Sequence, residues 1–350
     1  MSRTAFYSGL ALILPVSFCV SPAAHAAGEV FLAADVHASS EPVSVSDMIH
    51  GWDDGFTRGE YAYADLRLSS GVRYDDWQLS AEKRWYYYFT FSKDMSEFYY
   101  NMEHDLTSDK ELNLKLDVKS FRADGIRLAK LFSVPDWQFQ PSLALYKVDQ
   151  YQFGSLDGVS LAGSGASASA TLDYHFDEDK ILEYPVSDSQ GYGTSLDLNL
   201  AYTGFTDWTL RFGAGDVLNR WYFNDAGFTM GCINVGSSAG ITCASSGSAS
   251  GRAGQSDYDD RIPMTLTASA QLMSQHLLFS AYRHDEYQRL SAEKGWQTPV
   301  GLMALSVHST RQLGLHWRSA WHNLSLITDD NRLSHARDLQ INLGVNFHWR

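Results

Sequence analysis

From Leu339 onward the odd positions are Leu339, Ile341, Leu343, Val345, Phe347 and Trp349, and the even ones are Gln340, Asn342, Gly344, Asn346 and His348. A period of two places one apolar face and one polar face on a single strand. The pattern recurs upstream. Leu112, Leu114, Leu116 and Val118 alternate with Asn113, Lys115, Asp117 and Lys119; Leu196, Leu198, Leu200 and Tyr202 alternate with Asp197, Asn199 and Ala201. Ile262, Met264, Leu266, Ala268, Ala270 and Leu272 alternate with Pro263, Thr265, Thr267, Ser269 and Gln271. A soluble β-sandwich also alternates, so no single strand decides. The number of such strands, with no helical period between them, predicts an all-β chain whose apolar face meets lipid and whose polar face meets a lumen.

Three short motifs mark turns: Asp76-Trp77-Gln78-Leu79, Asp136-Trp137-Gln138-Phe139 and Asp207-Trp208-Thr209-Leu210, with Trp321 as a degenerate fourth copy. Asp caps a tight turn by accepting from backbone N–H groups, and the Trp after it opens a strand at a water–lipid boundary. Long loops are expected at the opposite end, in 37–58, 154–168 and 224–260. Strands are expected around Leu66, Trp85, Tyr99, Leu116, Leu128, Leu145, Leu172, Leu198, Phe212, Leu266, Phe279, Leu305, Leu324 and Leu343, with Val30–Val36 and Ile181–Tyr184 added. The sum is about 16 strands, with 14 as the alternative, because barrels of this kind take even numbers.

The last dozen residues resemble the C-terminal strand of bacterial outer-membrane barrels, which ends on an aromatic residue and serves as the assembly signal. The resemblance implies a transmembrane antiparallel up-and-down β-barrel in the outer membrane of a Gram-negative bacterium. It implies Phe347 and Trp349 as the assembly signal, and outer-membrane lipid and the barrel-assembly machinery as partners. The chain departs from the pattern at its last position, where Arg350 follows Trp349. At the other end Arg3, the apolar run Leu10–Val20 and Ala24-His25-Ala26 read as a signal peptide over 1–26, leaving a barrel over 27–350. That run is too short to span a bilayer as a helix, and Phe18 stands before Cys19 where a lipidation signal has a small residue.

Aromatic residues make up 13% of the chain and the mean hydropathy is −0.26, the average that alternating lipid-facing and lumen-facing positions produce. A net charge of −14 excludes a phosphate-neutralising face, and with it a nucleic-acid partner. Cys232 and Cys243 remain after leader removal and are expected to form a disulfide in an oxidising compartment. The stretch 224–260 holds no His, so no zinc site is expected, and no other metal or cofactor is implied.

Taking the lipid-facing phase from the apolar residues, Asp65, Arg67, Arg73, Glu82, Arg84, Lys115, Asp117, Lys119, Asp197 and Arg211 fall on the lumenal phase. Both signs occur on neighbouring strands. They are expected either to neutralise one another in a filled interior or to line an aqueous pore. Tyr86 and Tyr88 share that phase and could stack on sugar rings. Lys83 falls on the lipid-facing phase between Ala81 and Trp85, which calls for a bulge or a position near the rim. Seven His lie between His276 and His348. The adjacent pair His308-Ser309 points to opposite faces of one strand and forms no dyad, so no enzyme is expected; the pair His284-Asp285 is the other local one. The leading expectation is a channel for polar solutes or an exported polymer such as a polysaccharide. A non-conducting surface barrel that anchors a partner is the alternative, and an outer-membrane hydrolase the second. Nothing in the sequence sets an oligomeric state.

Overall fold

A computed structural model describes residues 28–53, 55–163, 167–179, 184–235 and 249–349. The proposed leader and the segment Ile181–Glu183 lie outside these residues, and so does Cys243. The strands are β1 (Gly28–Ser40), β2 (Tyr61–Tyr74), β3 (Trp77–Phe91), β4 (Leu112–Lys130), β5 (Phe132–Val134), β6 (Trp137–Ser160), β7 (Ala168–Phe176), β8 (Gln190–Tyr202) and β9 (Trp208–Val235). They continue as β10 (Ala249–Asp260), β11 (Thr265–Leu272), β12 (Leu277–His284), β13 (Tyr287–Thr298), β14 (Gly301–His308), β15 (Leu313–Arg318), β16 (His322–Thr328) and β17 (Asp338–Trp349). Two helices, α1 (Asp47–His50) and α2 (Lys93–Glu103), sit in loops.

Fourteen of the strands close an antiparallel barrel in the order β1-β2-β3-β4-β6-β8-β9-β11-β12-β13-β14-β15-β16-β17, with β17 returning to β1 through Gly28↔Trp349 to Ser39↔Asp338. Strands β5, β7 and β10 are extra. The count is therefore 14, the alternative expected, and the leading expectation of 16 is corrected. Around Leu116 and Leu128 the chain forms one strand, β4, and around Tyr99 it forms α2. Ser92 caps α2 by accepting from the Met95 N–H at 3.1 Å, and Phe98 buries against Leu112 and Leu114. Leu172 and Leu198 belong to one descending lane: β7 pairs with the upper half of β6 and β8 with its lower half. The same interruption separates β10 from β11 along β9. Strands β13 and β15 were not anticipated.

The terminal alternation holds. Gln340 and Asn342 project into the lumen and pair there with Arg289 and Asp35, while Phe347 and Trp349 are 55% and 42% exposed on the outer wall. Trp77, Trp137 and Trp208 each open a strand at the end of the barrel where the chain termini lie, and Trp321 stands just before β16 at that end. Above them runs a band of exposed Leu79, Ile126, Leu128, Leu143, Leu145, Phe212, Phe279, Leu305 and Leu315. A closed barrel with an outward apolar band flanked by aromatic residues spans a membrane. Among the described residues no helix is long and apolar enough to cross one.

At the other end the long strands β4, β6 and β9 rise past the barrel and form, with β7 and β10, an outer sheet. The segment 224–260, expected as a loop, is largely the β9–β10 hairpin, and 154–160 is strand. On this sheet Leu112 and Leu114 face α2 instead of lipid. The connection 41–60 is a loop carrying α1, close to the expected 37–58. Arg337, before β17, clamps it by donating to Glu41 O and Thr57 Oγ1, both at 2.6 Å. Trp52 meets Tyr99 at 4.7 Å and Phe56 stacks on Tyr100 at 4.3 Å, joining that loop to α2.

Candidate functional site

The lumen holds two layers of side chains, one carried by β2, β3, β4, β8 and β9 and one that reaches from wall to wall. The lower layer is ionic. Arg84 on β3 is fully buried and donates on one side to Asp65 of β2, at 3.0 and 2.8 Å. On the other it donates to Asp216 of β9, at 2.9 and 2.8 Å. Arg67 stands directly opposite Arg84 on β2 and reaches the same two carboxylates at 3.0 and 3.1 Å, so two adjacent like charges are offset by shared acids. Arg127 on β4 donates to Glu82 at 2.6 Å and pairs with Asp197, while Ser195 donates to Asp216 at 2.7 Å. Charges so far from water persist only when fully paired and hydrogen-bonded.

Asp216 enters this layer through a bulge. The β8–β9 register passes from Leu198↔Ala214 to Leu196↔Leu218, so β9 carries extra residues there, and Asp216 has a positive φ of 55°. Regular alternation after Gly213 and Gly215 would turn Asp216 to the lipid; the extra residues re-aim it inward.

The upper layer is aromatic, and its contacts join opposite walls. Tyr63 on β2 stacks on His284 of β12 at 4.2 Å, seven strands away in either direction around the barrel. Tyr86 lies 3.2 Å from the same imidazole, His37 packs against Tyr282 at 4.6 Å, and Tyr88 donates to Asp285 at 2.6 Å. Phe121 stacks on Trp221 at 3.7 Å.

Below the ionic layer, toward the end carrying the termini, the lumen opens into a chamber where Gln78, Gln140, Arg211, Arg289 and Gln340 stand among apolar wall residues. A cavity of about 470 Å³ reaches from Trp77 and Gln78 to Arg289 and Gln340. A second, of about 390 Å³, runs past Asp65, Arg67 and Asp197. A third, of about 160 Å³, lies between Glu293, His308, His316 and Arg318.

Six residues expected on the lumenal phase thus meet in or against the two layers: Asp65, Arg67, Glu82, Arg84, Tyr86 and Asp197. Tyr88 closes the top. Arg73, which pairs with Glu29, and Arg211, which donates to Gln271 at 2.9 Å, line the chamber. Lys115 and Asp117 are exposed on the outer sheet, away from the barrel interior, and Lys119 pairs with Asp260 at 2.7 Å. Lys83 needs no bulge. It faces Asp124 in register on β4 and donates to it at 2.8 Å; with Arg122–Asp149 and Arg220–Asp259 it forms a ring of outward ion pairs above the apolar band. Still higher, His175 on β7 stacks on Tyr258 at 3.8 Å, and burial holds its imidazole below the usual histidine range.

Arg127, Asp216 and Trp221 were missed, and His284, noticed only for its neighbour Asp285, enters the aromatic layer instead. Arg127 carries a readable signal, since it alternates with the exposed Ile126 and Leu128. Another missed contact is Ser306, whose hydroxyl lies 2.8 Å from both His308 and His316. His316 Nδ1 meets Ser325 at 2.8 Å, while Glu293 approaches Nε2 at 3.5 Å, the same nitrogen that Ser306 uses. A hydrolytic triad needs the acid on the imidazole nitrogen opposite the serine, so these residues do not form one.

No family model matches the chain, and no curated protein matches it. Solved structures that resemble it include a deletion mutant of the monoaromatic hydrocarbon channel TodX, at 11% identity, 92% of this chain, 90% of that chain and a TM-score of 0.44. The toluene transporter TbuX of Ralstonia pickettii follows at 9% identity, 93% and 90% coverage and a TM-score of 0.33. The outer membrane protease OmpT of Escherichia coli gives 7% identity, 92% and 96% coverage and a TM-score of 0.23. The barrel of this chain is defined by its own strand pairing.

Proposed function

We propose that this chain is an outer-membrane channel for a small polar solute, closed at rest by its own two-layered septum. The observation that carries this reading is a chamber ending blindly against side chains that meet across the lumen. In this orientation the Trp-marked turns and the chamber face the periplasm, and the outer sheet faces the exterior. The leader 1–26 directs export, and Phe347 and Trp349 serve assembly. A chamber that ends blindly suits a small solute better than a polymer chain. The aromatic layer, held largely by ring contacts and single hydrogen bonds, is the part that moves.

Planar-bilayer recording on refolded protein tests this. The cavity of about 390 Å³ already passes the edge of the ionic layer and ends at His37, Tyr63 and Tyr282, so the natural chain is expected to be silent or to open briefly, and the double variant Tyr63→Ala with His284→Ala to conduct steadily. A double variant that folds and stays silent would sink the channel reading. The non-conducting surface barrel would then stand, and the complete burial of Arg84, in a layer as dry as a protein core, is what favours that second reading.

A further inference from the structure

Three arginines of the described chain are buried to more than nine-tenths: Arg84, Arg127 and Arg289. The first two meet carboxylates. Arg289, on β13 and 8% exposed, forms no ion pair with any described residue. Its Nη1 donates to Gln312 Oε1 at 3.2 Å and its Nη2 to Gln340 Oε1 at 2.6 Å, and its guanidinium lies 5.4 Å from the Tyr282 ring centre. These partners are all neutral. Of the carboxylates nearby, Glu293 is already held by Arg318 at 2.6 and 2.9 Å and approached by His316, and Asp338 is joined to Arg289 only through Gln312. A buried cation without a counter-charge is costly, and amide dipoles offset that cost only in part.

A second group shares the position. His308 stands opposite Ser291 in the β13–β14 register, two residues along from Arg289, and its buried Nδ1 has no hydrogen-bond partner. Arg289 and His308 both line the cavity of about 160 Å³, and Arg289 also lines the larger one of about 470 Å³.

We infer that Arg289 is the anion-binding centre of the chamber, receiving a carboxylate or phosphate group in the smaller cavity while the rest of the solute occupies the larger one. The guanidinium fork suits such planar or tetrahedral oxyanions. His308 supplies a second polar contact, and the oxyanion provides the counter-charge that the fold withholds. This inference rests on the closed-channel reading for its meaning as a solute site, and its test is independent of conduction.

Isothermal titration of the refolded, detergent-solubilised full chain with sodium phosphate, and separately with sodium acetate, reads it directly against a constant chloride background. The natural chain is expected to bind at least one of them saturably. Arg289→Gln is expected to weaken that binding about tenfold or more, the scale of one charge-assisted hydrogen bond. Arg283→Gln, which alters an exposed arginine on the adjacent strand, leaves it unchanged. Heat-modifiable migration checks folding. If Arg289→Gln does not fold, Arg289→Lys decides, because it keeps the charge and loses the fork. No saturable binding by the natural chain, or equal affinity in the folded Arg289 variant, overturns the inference. Arg289-dependent binding in a barrel whose septum variant never conducts would uphold the anion site and remove the channel.

Discussion

The two halves of the barrel wall differ in height and in what they hold. On one side β4, β6 and β9 run for 19, 24 and 28 residues; on the other β12, β14, β15 and β16 run for 8, 8, 6 and 7. The tall side contributes Arg84, Arg127, Glu82, Asp197 and Asp216, together with Phe121, Tyr146 and Trp221, and its interior is solid. The short side contributes mostly Ser, His, Asn and Gln, whose shorter side chains leave the chamber open. The tall wall therefore supplies the ionic layer and the short wall the space beneath it, while the aromatic layer draws on both. The contrast follows from side-chain size and charge along strands that share a single hydrogen-bonded ladder.

The largest way to break this contrast is Arg84→Met. Asp65 and Asp216 would lose the buried one of their two cations and keep only Arg67, and urea unfolding of the refolded barrel should show a loss of about 3 kcal/mol. On the short side Ser325→Ala removes a buried hydrogen bond to His316 and should cost about 1 kcal/mol. Equal costs would show that the two halves are packed alike. Charge on the outer wall offers a finer comparison. The Lys83–Asp124 pair has the same chemistry as the septum pairs, but Lys83 is 30% and Asp124 60% exposed, so Lys83→Ala should change stability by only about 0–1 kcal/mol in the same assay. A larger loss would place that pair within the apolar band. The smallest effect concerns the tip of the tall side, where we propose that Cys232 and Cys243 are joined. Maleimide added to intact cells should label the chain only after reduction, and labelling beforehand would disprove the pairing.

Much of the wall was legible because alternation survives wherever one face meets an apolar phase. The odd residues of β17, the Trp that opens β3, β6 and β9, and the inward phase of Asp65, Arg67, Glu82 and Arg84 all follow from it. Legibility ended where a local device overrode the period. Phe98-Tyr99-Tyr100 reads as strand by its aromatic content, yet Ser92 caps a helix there, and the signal was the cap. Asp124-Gly125 has the composition of a hairpin turn but lies inside β4. Asp124 pairs outward with Lys83, while Gly125 leaves room for the Tyr146 ring, which a Cβ at that position would strike. Asp216 was invisible because a bulge, which leaves no periodic trace, brings it inward. Between a filled interior and an open pore the sequence could not choose: alternation tells which residues face inward but not how far they reach toward the opposite wall.

Strand β9 belongs to every level of the molecule. Its first residues wall the chamber, its bulge presents Asp216 to Arg84, and its last residues form the outer sheet with β7 and β10. Mechanically it is a single rod anchored in the septum and exposed at its tip. Backbone alone, bulged a second time at Asp225, joins the outer sheet to the carboxylate that holds the stopper in place.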